Sequence, residues 1–474
     1  MTIRWNRWCF AGALVLLVWS LWVLEGARKG IEITYRLVGD TPVTVLYRQT
    51  DGPAVVVAHG FSGSRQMMQG YSHLLAQAGY RVFAFDFQGH GRHRTPMSGD
   101  VNAINGTTRL LMAQTQEVIK AARQGDAPVA LLGHSMATDI LIRVANETEG
   151  IGPLVLLSAF SEAVSESWPC DMLLITGAWE PGLREFALET AEAAQESARR
   201  AAFIAPAVEH VSILQSRAGR EAALDWLNGY FERNDVPKAA QTGWALVGLL
   251  AAVTLFFPFV ARIAPGSQAT PEPINWRLLL LAAGGPALLT PPLATLVEAE
   301  FLPVLVADYL MVHLLIYGAL QLCVLVWAKR RLGPISAAGL VLLLFWMIAV
   351  FGLALDRYGA SFWPTPERWA IIAVLCVGAV PFMLADANLS YGATLTQRIL
   401  ARVTFLASLG LAVALDFDAL FFLVMIAPVI VLFYLSFGYM GRVSALRSGP
   451  TGAGIALGLA LAWAIGVSFP LFAV

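Results

Sequence analysis

The feature that most constrains this chain is a succession of eight long apolar runs that fills its C-terminal half. Each run has about 20 residues, the length that an α-helix needs to cross the hydrocarbon core of a bilayer. The whole chain is 57% hydrophobic and only 14% charged, whereas soluble proteins average about 25% charged residues. We therefore predict eight membrane spans, at approximately 243–262, 278–297, 302–327, 335–355, 369–386, 399–415, 418–438 and 453–473.

A ninth apolar run covers residues 8–24 and follows Arg4 and Arg7. A basic start before an apolar stretch is typical of a signal peptide or a signal anchor. Glu25 would occupy the −3 position of any cut after Ala27, which disfavours cleavage. We predict a signal-anchor helix over residues 1–24, a domain of soluble composition over 25–240, and a membrane domain over 241–474.

Lysine and arginine are unevenly distributed among the short loops between these runs. They dominate every second loop, at Arg262, Arg277, Lys329, Arg330, Arg331, Arg398, Arg442 and Arg447. The alternate loops are acidic or mixed, with Glu298, Glu300, Asp356, Arg357, Glu367, Arg368, Asp416 and Asp418. Basic loops remain in the cytoplasm, so we predict a multi-pass protein, of a bacterial inner membrane, with residues 25–240 in the periplasm. The net charge of −1 gives no indication of nucleic acid as a partner.

The soluble domain alternates short apolar runs with helical patterns after a strand hairpin at 30–48. The apolar runs end at residues 60, 87, 135, 159 and 178. Only about a dozen residues separate the last two of these runs. Continuous apolar strands that alternate with helices predict a doubly wound, mostly parallel α/β sheet without a cap insertion. Ligands of such sheets bind at the carboxyl ends of the strands.

Polar residues follow the predicted strands at that edge: His59, Asp86, Ser135, Glu180 and His210. Ser135 lies in the segment GHSMA (133–137), between a strand and a helix. A nucleophilic serine on a sharp turn requires this context. The fifth position is Ala137 where glycine is usual, and a small residue suffices for close helix–strand packing.

Five segments together resemble the signature segments of the α/β-hydrolase superfamily, in order and at normal spacing. They are HGFSGS (59–64), DFQGHGR (86–92), GHSMA (133–137), ITGAWEPG (175–182) and EHVSILQS (209–216). The resemblance covers about residues 30–235 and is nearest to the esterase, lysophospholipase and dienelactone-hydrolase-like branches. It implies a catalytic triad in the order serine, acid, histidine.

A serine hydroxyl needs an adjacent base to become nucleophilic. Only His210 and His313 follow Ser135 among the histidines, and His313 lies in an apolar run, so we predict His210 as the base. Glu180 follows a predicted strand and is the predicted acid, with Glu162 as the alternative.

The resemblance also implies an oxyanion hole made by the backbone N–H groups of Phe61 and Met136. His59, Gly60, Gly133 and His134 would support these two turns, since glycine allows close backbone approach. We interpret His90 and His93 as loop residues and predict neither metal nor cofactor.

These observations favour a serine hydrolase that cleaves an ester, thioester or amide, with a lipid or amphiphilic substrate because the domain lies beside a membrane. An alternative is a transporter or channel with a regulatory or cargo-processing hydrolase domain, since eight spans exceed what an anchor needs. A third is a non-catalytic binding module. Asp308 is either a functional intramembrane residue or a group near the outer surface, and Pro286, Pro291 and Pro292 predict a bent or broken helix.

Overall fold

The computed structural model describes residues 7–99, 104–164, 170–193, 199–267, 270–297 and 302–473. Eight strands form one sheet within residues 25–240, called here the soluble domain after its composition, as residues 241–474 are called the membrane domain. They are β1 (Glu32–Val38), β2 (Thr41–Tyr47), β3 (Ala54–Ala58), β4 (Arg81–Phe85), β5 (Val129–His134), β6 (Ile151–Leu157), β7 (Met172–Gly177) and β8 (Arg200–Ala205).

The strands lie in the order β1-β2-β4-β3-β5-β6-β7-β8. β2 is antiparallel to both of its neighbours, and all other pairs are parallel. The inner strands β3, β4 and β5 are buried along their whole length, as expected of parallel strands covered on both faces. The predicted doubly wound, mostly parallel sheet is confirmed.

Helices cover both faces of this sheet. One apolar core joins the sheet to α3, α4 and α5, and a second core joins the opposite face to α2 and α6. These helices are α2 (Gln69–Gln77), α3 (Arg109–Ala122), α4 (Met136–Glu147), α5 (Pro181–Glu192) and α6 (Arg217–Tyr230).

The rest of the described chain is helical. Nine of its helical segments are long and apolar enough to cross a membrane, the number expected from the sequence. The helices are α1 (Arg7–Gly26), α7 (Thr242–Val260), α8 (Trp276–Thr295), α9 (Ala307–Trp327), α10 (Ala337–Phe345), α11 (Gly352–Tyr358), α12 (Arg368–Tyr391), α13 (Leu395–Leu415), α14 (Phe417–Leu420), α15 (Leu423–Ser448) and α16 (Pro450–Ser468). A π-helical turn at Trp346–Phe351 joins α10 and α11 into one segment.

Of the bent or broken helix predicted at the three prolines, the break is wrong, while the bend stays a prediction. Helix α8 continues through Pro286, Pro291 and Pro292. A proline removes a backbone donor, and neighbouring side chains in a helical bundle can satisfy the carbonyl groups of the helix. The hydroxyl of Tyr317 on α9 donates to the carbonyl of Ala283 in α8 at 3.0 Å.

The ends of the long apolar helices form two sets that alternate along the chain. The basic loops lie at one set, and the acidic or mixed loops lie at the other. The basic loops contact one another: Arg447, at the end of α15, donates to the carbonyl of Ala264 after α7, and Arg330, after α9, pairs with Glu272 before α8. The other set of ends contacts the soluble domain, through Asp356, Ser361, Glu367, Arg368 and Leu471.

Candidate active site

Ser135 lies on the sharp turn between β5 and α4. Its φ of 55° and ψ of −122° are a strained backbone conformation for a residue with a Cβ, and such strain is typical of functional turns. A Cβ at Gly133 would lie 2.6 Å from Cδ1 of Leu141 and 3.2 Å from the Cβ of Ala137. A side chain at position 133 would thus require Leu141 and Ala137 to shift, and alanine fits at position 137, where it is fully buried.

The side chains of Ser135, His210 and Glu180 form a continuous hydrogen-bonded relay. Nε2 of His210 lies 2.8 Å from Oγ of Ser135, and its Nδ1 lies 2.7 Å from Oε1 of Glu180. The three residues come from the ends of three different elements, as chain order predicted. The alternative acid, Glu162, is exposed and makes no hydrogen bond to His210.

The carboxylate of Glu180 is fixed through its second oxygen. Oε2 accepts hydrogen bonds from the backbone N–H of Gly177 at 2.7 Å and from the hydroxyl of Ser158 at 2.8 Å. Burial alone raises the pKa of Glu180, but the hydrogen bonds from His210, Gly177 and Ser158 outweigh burial and hold the pKa below its ordinary value. The group is thus an anion positioned to orient the imidazole. Ser158 lies in none of the signature segments, so the sequence did not indicate its role in binding Glu180.

His59 and His134, the histidines of the HGFSGS and GHSMA motifs, bind nearby backbone groups through hydrogen bonds. A carbonyl can only accept, so Nε2–H of His134 donates to the carbonyl of His210 at 2.7 Å. Likewise Nδ1–H of His59 donates to the carbonyl of Gly60 at 2.8 Å, and Nε2 of His59 accepts from the N–H of Phe87 at 3.1 Å. Burial lowers the pKa of His59, and burial lowers the pKa of His134 to about 4, so both rings are neutral near pH 7.

The backbone N–H groups of Phe61 and Met136 have no hydrogen-bond acceptor within the described ranges. Two free N–H groups on neighbouring turns are what an oxyanion hole requires. Gly60 allows the two turns to approach, because a Cβ there would lie 2.8 Å from Nδ1 of His134 and 3.0 Å from the Cβ of Ser135.

Asp86, the remaining polar residue at this sheet edge, is fully buried and makes no hydrogen bond to the described relay residues. Its carboxylate accepts from the backbone N–H groups of Arg65 at 2.8 Å and Arg92 at 2.9 Å, and it pairs with the guanidinium of Arg65. Asp86 therefore ties the segment that follows the oxyanion loop to the turn after β4.

The membrane domain contacts this same region of the soluble domain. The ring of Phe422, in the turn before α15, lies 5.4 Å from the ring of Phe61. The chain after α16 pairs with the turn after β4, where Met97 and Phe472 form an isolated parallel bridge. The Phe472 side chain packs into the core of the soluble domain. None of these contacts has a local sequence signal.

Large exposed apolar side chains belong to residues that adjoin the relay in sequence or through backbone hydrogen bonds. Trp179 precedes Glu180 and is 67% exposed, and Val211 follows His210 and is 53% exposed. Phe160 is 47% exposed, and its backbone bonds to the hydroxyl of Thr138, which donates to the carbonyl of Ser135.

Asp308 and His313 do not belong to the relay. Asp308 lies in the first turn of α9, where its carboxylate accepts from the backbone N–H of Leu302 at 3.1 and 3.0 Å. The structure thus places it at a helix end. His313 lies one turn further and contacts Ser408 of α13, with 3.1 Å between Nε2 and Oγ.

Residues 50–187 match the family model described as serine aminopeptidase, S33. The match contains Ser135 and Glu180 and ends before His210. Together with the strand order, it confirms the resemblance to the α/β-hydrolase superfamily for this domain.

Several solved structures are similar to the soluble domain. A predicted CIB-like hydrolase from Thermoplasma acidophilum is 19% identical, with 42% of this chain and 98% of that chain covered and a TM-score of 0.35. Dienelactone hydrolase from Anabaena variabilis is 17% identical, with 42% and 97% covered and a TM-score of 0.32. A bacterial membrane phospholipase A is 16% identical, with 47% and 93% covered and a TM-score of 0.35. No curated protein sequence matches the chain.

Proposed function

We propose that this protein is a membrane-embedded serine hydrolase that cleaves an ester bond of a lipid or another amphiphile. The observation that carries the proposal is the relay from Ser135 through His210 to Glu180, with hydrogen bonds of 2.8 and 2.7 Å. It supplies a nucleophile, a base within reach of its proton, and an anion that orients the base.

The proposed reaction proceeds through an acyl-enzyme. Oγ of Ser135 attacks the carbonyl carbon while Nε2 of His210 takes its proton. The N–H groups of Phe61 and Met136 bind the oxygen on which negative charge develops. The leaving alcohol takes the proton from His210 as its bond to the acyl carbon breaks. Water, deprotonated by His210, then releases the acid and regenerates Ser135.

The surroundings of the relay support an amphiphilic substrate. Trp179 and Val211, which adjoin Glu180 and His210 in sequence, and Phe160 present exposed apolar side chains. Phe422 brings the membrane domain to the oxyanion loop, and its neighbour Phe421 is 44% exposed. An acyl chain leaving the bilayer would therefore meet apolar side chains between the membrane and Ser135. The matching family model is described as serine aminopeptidase, S33, so an amide is the competing substrate class.

The arrangement of loops supports an extracytoplasmic soluble domain. The helix ends that contact this domain lack the basic excess, whereas the loops at the opposite helix ends contain Arg262, Arg277, Lys329, Arg330, Arg331, Arg398, Arg442 and Arg447. By the positive-inside rule the second set is cytoplasmic. In intact spheroplasts, an added protease should cleave the soluble domain and spare the loop around Arg330. The reverse pattern would overturn this orientation.

The preference of the enzyme for short or long acyl chains tests the proposed function directly. We would measure hydrolysis of p-nitrophenyl acetate, p-nitrophenyl decanoate and alanine p-nitroanilide by the full chain in detergent. The proposal predicts a higher kcat/KM for the decanoate than for the acetate, and little cleavage of the anilide. Preferential cleavage of the anilide would instead indicate an aminopeptidase.

The variant Trp179→Ala tests whether the preference for the decanoate depends on the exposed apolar side chains near the relay in sequence. It should raise the KM for the decanoate and leave the acetate nearly unchanged. Leu37→Ala is the matched control, because Leu37 is 66% exposed on the outer strand β1. Equal effects of the two variants on both esters would contradict the proposed acyl site.

A further inference from the structure

A cavity lies between the soluble domain and the membrane domain, away from Ser135. Its volume is about 340 Å³, and none of Ser135, Glu180 and His210 lines it. Its walls come from the β1–β2 hairpin, from Arg28 just beyond α1, from α2, and from α11. We propose that this cavity binds the phosphate group of an anionic ligand, such as a phospholipid headgroup.

The cavity has an excess of positive charge. Four arginines line it, Arg28, Arg65, Arg92 and Arg357, whereas Asp356 is its only acidic lining residue. Arg65 pairs with Asp86, Arg92 with Asp356, and Arg357 with Glu25. Arg28 only donates to the amide oxygen of Gln69, at 3.3 Å, and no described carboxylate lies within ion-pair distance of it. Arg28 thus has no direct ion pair, although its charge interacts with that of Glu25 nearby.

The cavity also contains buried polar atoms without partners. His73 lines it, is only 6% exposed, and makes no hydrogen bond to any described residue. Oε1 of Gln66 and Nε of Arg92 are buried and unpaired within the same part of the structure. Buried polar atoms nearly always have a hydrogen-bond partner. Oε1 of Gln66 can only accept, so it is the unpaired donor of Arg92 that points to a ligand with acceptor oxygens. Burial, aided by the positive charge of Arg28, lowers the pKa of His73 to about 3, and the neutral ring can donate one hydrogen bond.

Phosphate is the chemistry that this set of donors fits. Guanidinium groups bind phosphate oxygens through paired, charge-assisted hydrogen bonds. The volume suits a headgroup and excludes a whole diacyl lipid. Arg28 and Arg357 lie at the ends of two candidate spans, where headgroups are found in a bilayer. Tyr35 and Leu353 line the cavity and are 68% and 59% exposed, so acyl chains could leave along an apolar wall.

The test is ligand binding by the full chain in a Ser135→Ala background, so that no ester is cleaved. Native mass spectrometry would compare phosphatidylglycerol, diacylglycerol with the same acyl chains, and inorganic phosphate. We expect phosphatidylglycerol to bind at least about tenfold more tightly than diacylglycerol, as loss of charge-assisted hydrogen bonds implies. Binding of phosphatidylglycerol that inorganic phosphate does not displace indicates a lipid ligand. Equal occupancy by inorganic phosphate indicates the free anion.

Arg28→Gln should weaken phosphatidylglycerol binding by about tenfold or more. Lys29→Gln is the matched control, since it removes the same charge from the next residue, which does not line the cavity. Gln66→Glu, which places an anion in the cavity, should weaken binding as well, and thermal unfolding would verify that each variant is folded. Equal binding of phosphatidylglycerol and diacylglycerol, or equal losses in Arg28→Gln and Lys29→Gln, would overturn the proposal.

Discussion

Arg368, the first residue of α12, donates from Nη2 to the carbonyl of Gly89 in the turn after β4, at 2.9 Å. Its Nη1 donates to the carbonyls of Gly466 and Phe469 at 2.9 and 2.7 Å. The side chain is 1% exposed. One guanidinium therefore joins two parts of the membrane domain to the turn that carries His90.

That turn lies directly behind the proposed oxyanion loop. The ring of His90 lies 5.1 Å from the ring of His59 and 5.8 Å from the ring of Phe61. A displacement of the turn would therefore be transmitted to Phe61, whose N–H is a proposed oxyanion donor. We infer that the membrane domain helps to position the site.

Arg368→Gln should reduce both stability and activity. It would leave the carbonyls of Gly466 and Phe469 without this donor, and each buried carbonyl without a partner costs about 1–3 kcal/mol. We expect a lower unfolding temperature and a kcat reduced by about tenfold, equivalent to about 1.4 kcal/mol in the barrier. Thermal unfolding and ester hydrolysis by the full chain measure the two effects.

Arg94→Gln is the control at the same interface. Arg94 pairs with Glu367 at 2.8 Å, but the two side chains are 68% and 33% exposed. Exposed ion pairs contribute about 0–1 kcal/mol, so this variant should resemble the wild type. Similar losses in both arginine variants would show that the buried guanidinium has no special role.

Gly60→Ala should lower kcat by about 10²-fold while the protein remains folded. The added Cβ would lie 2.8 Å from Nδ1 of His134 and 3.0 Å from the Cβ of Ser135, so the loop must move away from the nucleophile. Loss of one oxyanion donor costs about 10²–10³-fold in kcat. Gly182→Ala is the control, because a Cβ there meets no atom within 4 Å. A fully active Gly60→Ala enzyme would rule out this loop as an oxyanion donor.

Glu180→Gln should lower kcat by a factor on the order of 10⁴, since the amide cannot stabilise the imidazolium as the carboxylate does. It should also change the pH dependence of stability. The pKa of Glu180 is lowered from 4.5 in the folded protein. The stabilising contribution of the carboxylate is therefore fully present above pH 4.5 and is lost as the pH falls through the lower folded pKa.

Unfolding temperatures of the wild type and of Glu180→Gln, measured between about pH 8 and about pH 3, test this sign. Their difference should be constant in the upper range and should shrink below pH 4.5. A difference that shrinks as the pH rises would contradict the lowered pKa.

The sequence predicts the sheet and the positions of the relay because both depend on local patterns. Buried strands are continuous apolar runs, and residues that follow parallel strands meet at one edge of the sheet. Ser135, Glu180 and His210 could therefore be placed at that edge, and the resemblance to the α/β-hydrolase superfamily implied their order along the chain. Ala137 is acceptable in the signature around Ser135, because the fifth position requires only a small side chain.

The contacts between the two domains could not be predicted. Arg368, Phe422 and Phe472 reach the soluble domain from segments hundreds of residues away, and nothing in their neighbouring sequence records the partner. Ser158 was missed for a related reason, because a buried serine has no pattern of its own. The three prolines of α8 did not predict a continuous helix, because a proline pattern does not record how the neighbouring helices pack.

The most direct test of the account is covalent labelling by a fluorophosphonate. Ser135 should attack phosphorus with loss of fluoride, and peptide mass spectrometry of the full chain should locate the adduct on Ser135. His210→Ala should label much more slowly, and Ser135→Ala should not label at all. Failure of the folded wild-type protein to react, or equal labelling of Ser135→Ala, would contradict the claim that Ser135 is the nucleophile of a serine hydrolase.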